Sequence, residues 1–264
     1  MSQKPIGTRE WYDFVGQLGA ALPAVHLGGL VATRELLEHC ELGPDSRVLD
    51  VGCGPGNTAC LIAQQYGSTV EGFDLSEVMV AAARERAEQQ GVVDKVTFRV
   101  ADVFGMPFED ATFDVALAES VFTPLPGDKG QAMAEMVRVI RSGGRIALNE
   151  TTFDPAPPPD MQALFEQHPA FHGYFTPQSL RALFEDAGLQ VVYMSETRQV
   201  EAPSVTTQIG WRGLLTFMVR AYPKILLRLL RDPQLRKVSR IDDQVTKLGK
   251  PYMAYTLIVG QKQA

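Results

Sequence analysis

Nine residues, Val48-Leu49-Asp50-Val51-Gly52-Cys53-Gly54-Pro55-Gly56, constrain this chain more than any other stretch. Residues 48–51 read as an apolar strand, and the three alternate glycines that follow let the backbone turn tightly and meet a ligand with no Cβ in the way. A helix is expected from Asn57 or Thr58. The dinucleotide fingerprint needs its third glycine three residues after the second. Counted from Gly54, that position is Asn57. The third glycine stands instead at Gly56, giving G-x-G-x-G behind the strand acid Asp50. The loop is of a nucleotide-cofactor type, and its spacing disfavours nicotinamide and flavin.

The alternation continues. Val70-Glu71-Gly72-Phe73-Asp74 reads as a second buried strand, ending in an acid 22 positions after Gly52. A carboxylate there can accept both hydroxyls of a ribose. Val96-Thr97-Phe98-Arg99-Val100 alternates as a third strand and runs into Ala101-Asp102-Val103. Phe113-Asp114-Val115-Ala116-Leu117-Ala118-Glu119 reads as a fourth, and Arg138-Val139-Ile140-Arg141-Ser142-Gly143-Gly144-Arg145 as a helix end and glycine turn before a fifth. Asp74 and Asp102 also suit plain helix N-caps. Alternating strands and helices over 46–150 point to a parallel sheet covered on both faces, which binds at the carboxyl ends of its strands.

Together these motifs resemble the class I S-adenosylmethionine-dependent methyltransferases, in the small-molecule branch of the ubiquinone/menaquinone C-methylase-like (type 11) enzymes. The resemblance covers residues 46–150 well and the rest weakly. Ser142 departs from it, standing in a turn where proline is usual. It implies an α/β, Rossmann-like seven-stranded sheet with an antiparallel last strand, residues 188–195 and 252–259 supplying strands six and seven. It implies S-adenosylmethionine as cofactor, with Asp50, Gly52, Gly54 and Gly56 around the methionine moiety. Asp74 and Leu75 would then lie at the ribose, Asp102 and Val103 at adenine, and Glu119 at the junction of cofactor and acceptor. The implied activity is methyl transfer to a small, lipophilic acceptor such as a quinone, phenol or isoprenoid. A cofactor-binding regulator or scaffold without transfer is the alternative, against which the intact glycines and both acids argue.

Composition narrows the partners. The 264 residues, 45% hydrophobic, suffice for one large core and a smaller appended unit. No apolar run reaches bilayer length and the first residues lack signal-peptide blocks, so a cytoplasmic address is expected. Cys40, Cys53 and Cys60 have no metal spacing and read as free thiols. The net charge of −6 argues against nucleic acid. Members of the family that methylate base amino groups usually carry Asn/Asp-Pro-Pro-Tyr after strand four, where this chain has Glu119-Ser120-Val121-Phe122.

Three segments lie outside the motifs. Residues 1–45 read as a helical arm carrying Trp11, Tyr12 and Phe14, either a lid over the cofactor or a docked helix pair; the domain proper is expected over 46–264. His26, ahead of Gly28-Gly29, sits in a His-x-Gly-Gly stretch similar to one in several small-molecule methyltransferases, as a ligand contact or a structural group. After strand five, Asp154-Pro155-Ala156-Pro157-Pro158-Pro159 opens a loop bearing His168, Phe171, His172, Tyr174 and Phe175, expected to overhang the acceptor. His168 and His172 have the spacing of a helical metal pair, but Pro169 interrupts it and no carboxylate pattern accompanies it, so no metal is expected. As base for an acidic acceptor, Glu119 is the first candidate and His172, His168 and Tyr174 the others; Glu119 serves equally well as a cofactor-binding or structural acid.

A helical insertion is expected over about 203–250, between strands six and seven. From Trp211 to Arg240 it holds eight basic residues and one acid. Arg220, Lys224, Arg228 and Arg231 fall on one helical face and Ile225, Leu226, Leu229 and Leu230 on another, with Pro223 and Pro233 to kink or divide the helix. Such a segment makes peripheral contact with an anionic membrane, or caps the catalytic domain with its charges in water.

Overall fold

The structure is a computed structural model that describes residues 6–17, 26–198, 219 and 222–263. Seven strands form one sheet in the order β3-β2-β1-β4-β5-β7-β6. They are β1 (Arg47–Val51), β2 (Thr69–Asp74), β3 (Val96–Val100), β4 (Phe113–Glu119), β5 (Ile140–Phe153), β6 (Leu189–Thr197) and β7 (Met253–Lys262). The first five run parallel, and β7 inserts antiparallel between β5 and β6. Residues 48–51 are buried on both faces, as the apolar Val48, Leu49 and Val51 favour in a central parallel strand, and Asp50 is buried among them. Order reverses between β1 and its neighbours β2 and β4, and that reversal opens a crevice at the carboxyl ends of the strands.

The helices cover the sheet in sequence order. They are α1 (Thr8–Gly16), α2 (Gly29–Glu38), α3 (Asn57–Tyr66), α4 (Glu77–Gln90), α5 (Lys129–Val139), α6 (Pro159–Phe165), α7 (Pro177–Asp186), α8 (Tyr222–Arg231) and α9 (Pro233–Gly249). Their starts follow local chemistry. Ser76 caps α4 by accepting from the Met79 N–H, and Thr176 caps α7 with Pro177 in its first turn. Asp232 caps α9, so Pro233 divides the insertion into two helices, whereas Pro223 sits harmlessly in the first turn of α8.

Arm and insertion dock by different means. Gly16 of α1 lies against Met79 and Val78 of α4, while α2 packs on β5 and β7. Ile241 and Val245 of α9 join Phe153, Met161 and Phe165 in a small core of their own. Trp211, Arg212 and Arg220 lie outside the described residues, as do the side chains of Lys224 and Ile225, so the basic face is seen only from Arg228 onward. No described helix is long and apolar enough to cross a membrane.

Gly56 sits where the glycine loop packs against α4 and has no room for a side chain. Its φ is +79°, and an added Cβ would lie 2.9 Å from the Ala83 Cβ and 3.1 Å from the Ala83 Cα. Gly56→Ala should therefore cost about 2–4 kcal/mol from strain and overpacking together. Urea unfolding with an unchanged m-value would read this as a lower midpoint.

Candidate active site

The glycine loop has two different faces. At Gly52 (φ +65°) a Cβ would meet the Val121 Cγ2 at 2.5 Å, whereas at Gly54 (φ +50°) no protein atom lies within 4 Å of that position. Gly52 lets two loops close together, and Gly54 leaves open space for a ligand against bare backbone. The Gly54 N–H donates to Asp74 Oδ2 at 3.0 Å and the Ser76 N–H to Oδ1 at 2.9 Å, so the Asp74 carboxylate ties the glycine loop to the start of α4. Burial raises the Asp74 pKa, and these backbone donors oppose the rise. Asp102 Oδ1 accepts from the Phe104 N–H at 3.0 Å and caps a short turn at Val103–Gly105. Asp102 thus acts as a cap and as cavity wall, whereas Ser76 caps α4 and Asp74, not a cap, braces the glycine loop from the same wall.

Gly52, Gly54, Asp74, Leu75, Asp102, Val103 and Glu119 all line one cavity of about 360 Å³. Asp50 and Gly56 do not reach it; they shape the loop from beneath. Asp50 is level with Gly72 of β2 and Leu117 of β4, and its Oδ2 is buried without a hydrogen-bond partner. Burial pushes its carboxyl well up, with the charge of Glu119 next in effect.

The rest of the wall comes from elements remote in sequence. Thr8, Arg9, Trp11, Tyr12 and Val15 of α1 form one side; Ser120, Val121, Pro124, Leu125 and Pro126 form another; Asp242 reaches in from α9. Ser120 has φ +56°, an uncommon conformation for a residue with a side chain, and its N–H donates to the Asn149 carbonyl at 2.7 Å. Glu150 holds the following loop. Its carboxylate accepts from the N–H groups of Val121 (2.8 Å), Phe122 (2.8 Å) and Thr123 (3.1 Å) and from the Thr123 hydroxyl (2.8 Å). Burial raises its pKa and these four donors pull it back. Nothing in the motifs flags Glu150; its signal was the lone acid in β5.

Glu119 is on the wall, but its carboxylate is already engaged. The Thr33 hydroxyl reaches both oxygens (3.2 and 2.9 Å), the Thr58 hydroxyl donates to Oε1 at 2.7 Å and the Asn149 amide to Oε2 at 3.2 Å. His26 Nε2 lies 3.4 Å from Oε2, and the Glu119 side chain is 6% exposed. His26 is therefore a buried partner of Glu119 and does not line the cavity.

The three loop candidates, His168, His172 and Tyr174, are not among the residues that line this cavity. The loop folds back on β5 and α6, and its rings are spent in packing. Tyr174 stands edge-on to Phe153. His172 Nε2 lies 3.0 Å from the Thr8 hydroxyl. His168 wedges between Trp11 and Phe171, its side chain 1% exposed, and burial lowers its pKa to about 4. Its Nδ1 accepts the Ala170 N–H at 3.1 Å, so the proton of the neutral ring sits on Nε2, which faces Asp242 Oδ1 at 3.7 Å. Asp242 is half-exposed, and burial followed by the neighbouring Asp243 charge raises its pKa. The Tyr12 phenol is likewise pushed up, first by burial and then by Asp74, Glu150 and Asp242.

Comparison with known proteins agrees with this geometry. Residues 48–144 match a methyltransferase-domain family. The methyltransferase GfsG of Streptomyces halstedii is 33% identical over 178 residues, 65% of this chain and 63% of that protein. The 27-O-demethylrifamycin SV methyltransferase of Amycolatopsis mediterranei is 32% identical over 61% of this chain and 60% of its own length. The chain thus spans less than two thirds of the length of these curated relatives. Among solved structures, the [4+2]-cyclase SpnF superposes over the whole of both chains with a TM-score of 0.75 at 20% identity. Geranyl diphosphate C-methyltransferase from Streptomyces coelicolor A3(2) covers 89% of this chain and 78% of its own, with a TM-score of 0.62 at 18% identity. At such identities the two structures establish the fold alone. Strand order, glycine cradle and matched region define a Rossmann-like methyltransferase domain. Residues 48–144 are a methyltransferase domain, and these relatives support the expected class I S-adenosylmethionine-dependent methyltransferase with S-adenosylmethionine as its cofactor.

The depressed His168 pKa has a thermodynamic consequence. Between about 4 and the usual 6.5 the unfolded chain binds the proton that the folded one refuses, so this contribution is intact above 6.5 and lost as pH falls toward 4. The loss should reach at most about 3 kcal/mol. Thermal midpoints from pH 7 to pH 4 should therefore fall more steeply for the native protein than for His168→Gln.

Proposed function

We propose that the protein transfers the methyl group of S-adenosylmethionine to an oxygen of a small, lipophilic acceptor. The observation that carries this reading is the single cavity in which the open Gly54 backbone, Asp74 and Asp102 share a wall with Trp11, Val121, Pro124 and Leu125. Its size suits a small-molecule site. The backbone of Gly52 and Gly54 would take the methionine part, Asp74 and Leu75 the ribose, and Asp102 and Val103 the adenine. The apolar remainder would take the acceptor. The rifamycin relative's name, which places its methyl group on oxygen, favours an O-acceptor.

When bound, the cofactor supplies a sulfonium methyl carbon open to in-line attack. The chain's own residues align the acceptor, exclude water and remove a proton. Asp242 is the better base for that last task. Its carboxylate is on the wall and partly free, whereas the Glu119 oxygens already hold donors that protonation would displace. His168 Nε2 lies 3.7 Å from Asp242 Oδ1, beyond hydrogen-bond distance, and makes no claim on that carboxylate. Glu119 instead holds the loop, the arm and β5 together. Because the same fold occurs in a protein titled a cyclase, cofactor binding alone does not test transfer; product does.

Asp74→Ala and Gly54→Ala should each weaken S-adenosylhomocysteine binding about tenfold or more in calorimetric titration, since both strip the cofactor's charge-assisted or close backbone contacts. Asp242→Asn should retain that binding while cutting label transfer from methyl-labelled S-adenosylmethionine to the organic phase of a cell extract by about 10²–10⁴. Full transfer by Asp242→Asn would remove it as base. Cofactor binding with no label moved to any component would favour the regulator.

A further inference from the structure

The basic insertion is not absorbed by the site. In α8, Leu226, Leu227 and Leu230 are 43%, 47% and 66% exposed. A ten-residue helix laid on a core would turn these leucines inward, yet here they face outward, and among the described leucines of α8 only Leu229 is half-sheltered. The corner that presents them is firmly built. Arg236 donates to the Leu229 and Leu230 carbonyls at 2.7 and 2.6 Å, and the Asp232 N–H donates to the Arg228 carbonyl at 2.8 Å. α8 packs chiefly against α9. Arg228 and Arg231 are exposed beside the leucines. From residue 222 to 240 the chain carries six basic residues and one acid, on a protein of net charge −6.

We infer that α8 and the first turns of α9 seat the protein on an anionic lipid surface. Leucines alone would suit any apolar partner, and cations alone any polyanion. Their combination on one short helix suits a bilayer interface, where the leucines enter the acyl boundary and the arginines reach phosphate headgroups. The placement connects with the pocket: the inward face of α9 buries Leu235, Val238 and Ile241, and the next residue, Asp242, is cavity wall. A lipid-dissolved acceptor would then meet the enzyme beside its site.

Flotation of the full chain with vesicles tests this without methyl donor or acceptor, so its failure is separate from failure of the methyl-transfer reading. Vesicles of phosphatidylcholine with about a third phosphatidylglycerol should bind roughly tenfold or more tightly than phosphatidylcholine alone, with binding weakened by salt. The exposed pairs Leu226→Ser with Leu230→Ser, and Arg228→Gln with Arg231→Gln, should each lower it about tenfold. S-adenosylhomocysteine binding should be unchanged in both, which confirms folding. No vesicle binding by the native chain overturns the inference. So does binding that survives the leucine pair but yields to salt, which would mean a soluble polyanion. A dimer in sedimentation that only the leucine pair dissolves would make the face a contact between copies.

Discussion

The buried carboxylate of Glu119 is the interaction on which the site depends. A charge this sheltered persists only if its oxygens are met by donors. The donors come from α2 through Thr33, α3 through Thr58 and β5 through Asn149, with His26 at the edge. One side chain at the end of β4 thereby fixes the second helix of the arm, the helix behind the glycine loop and the next strand relative to one another. A carboxylate so used is a structural joint, and the apolar wall beside it gains a fixed position.

Glu150 repeats the device one strand over. Its oxygens collect three consecutive backbone N–H groups from the loop after β4 and hold that loop over the crevice. Opposite, Asp13 accepts from the Ser76 hydroxyl and Thr8 donates to the Pro169 carbonyl, so α1 is fastened both to the cap of α4 and to the loop after α6. On the proposed reading the cavity divides into a cofactor half of backbone and strand-end acids and an acceptor half assembled from arm, loop and insertion. The halves differ in kind: the first needs a particular backbone, the second only an enclosed apolar volume with one usable carboxylate.

The cofactor half was legible in the residues. The glycine spacing, the acids at or just after the ends of β2 and β3, and the alternation of strands and helices all express local rules, and the family resemblance they carry implied seven of the residues that line the cavity, from Gly52 to Glu119. Asp50 and Gly56 belong to the same motif yet stand beneath it, because a loop's inner residues support its outer ones. The acceptor half was not legible. His168, His172 and Tyr174 had plausible positions in the chain, but the aromatic loop found better packing against Phe153, Phe165 and Trp11 than against the crevice. Asp242 was invisible because nothing near it in sequence distinguishes it from the other charges on its helix.

By itself the sequence determined the strand and helix succession, the left-handed glycine turn after β1 and the acids at or just after the ends of β2 and β3, since each follows from backbone preference and periodicity within a few residues. Tertiary structure alone decided that Glu119 would be consumed by Thr33, 86 residues away, that Glu150 would hold the loop after β4, and that Asp242 would face the pocket with His168 behind it. Such partnerships depend on where whole elements come to rest against one another. That is set by the packing of the entire core, and no local stretch of residues contains it.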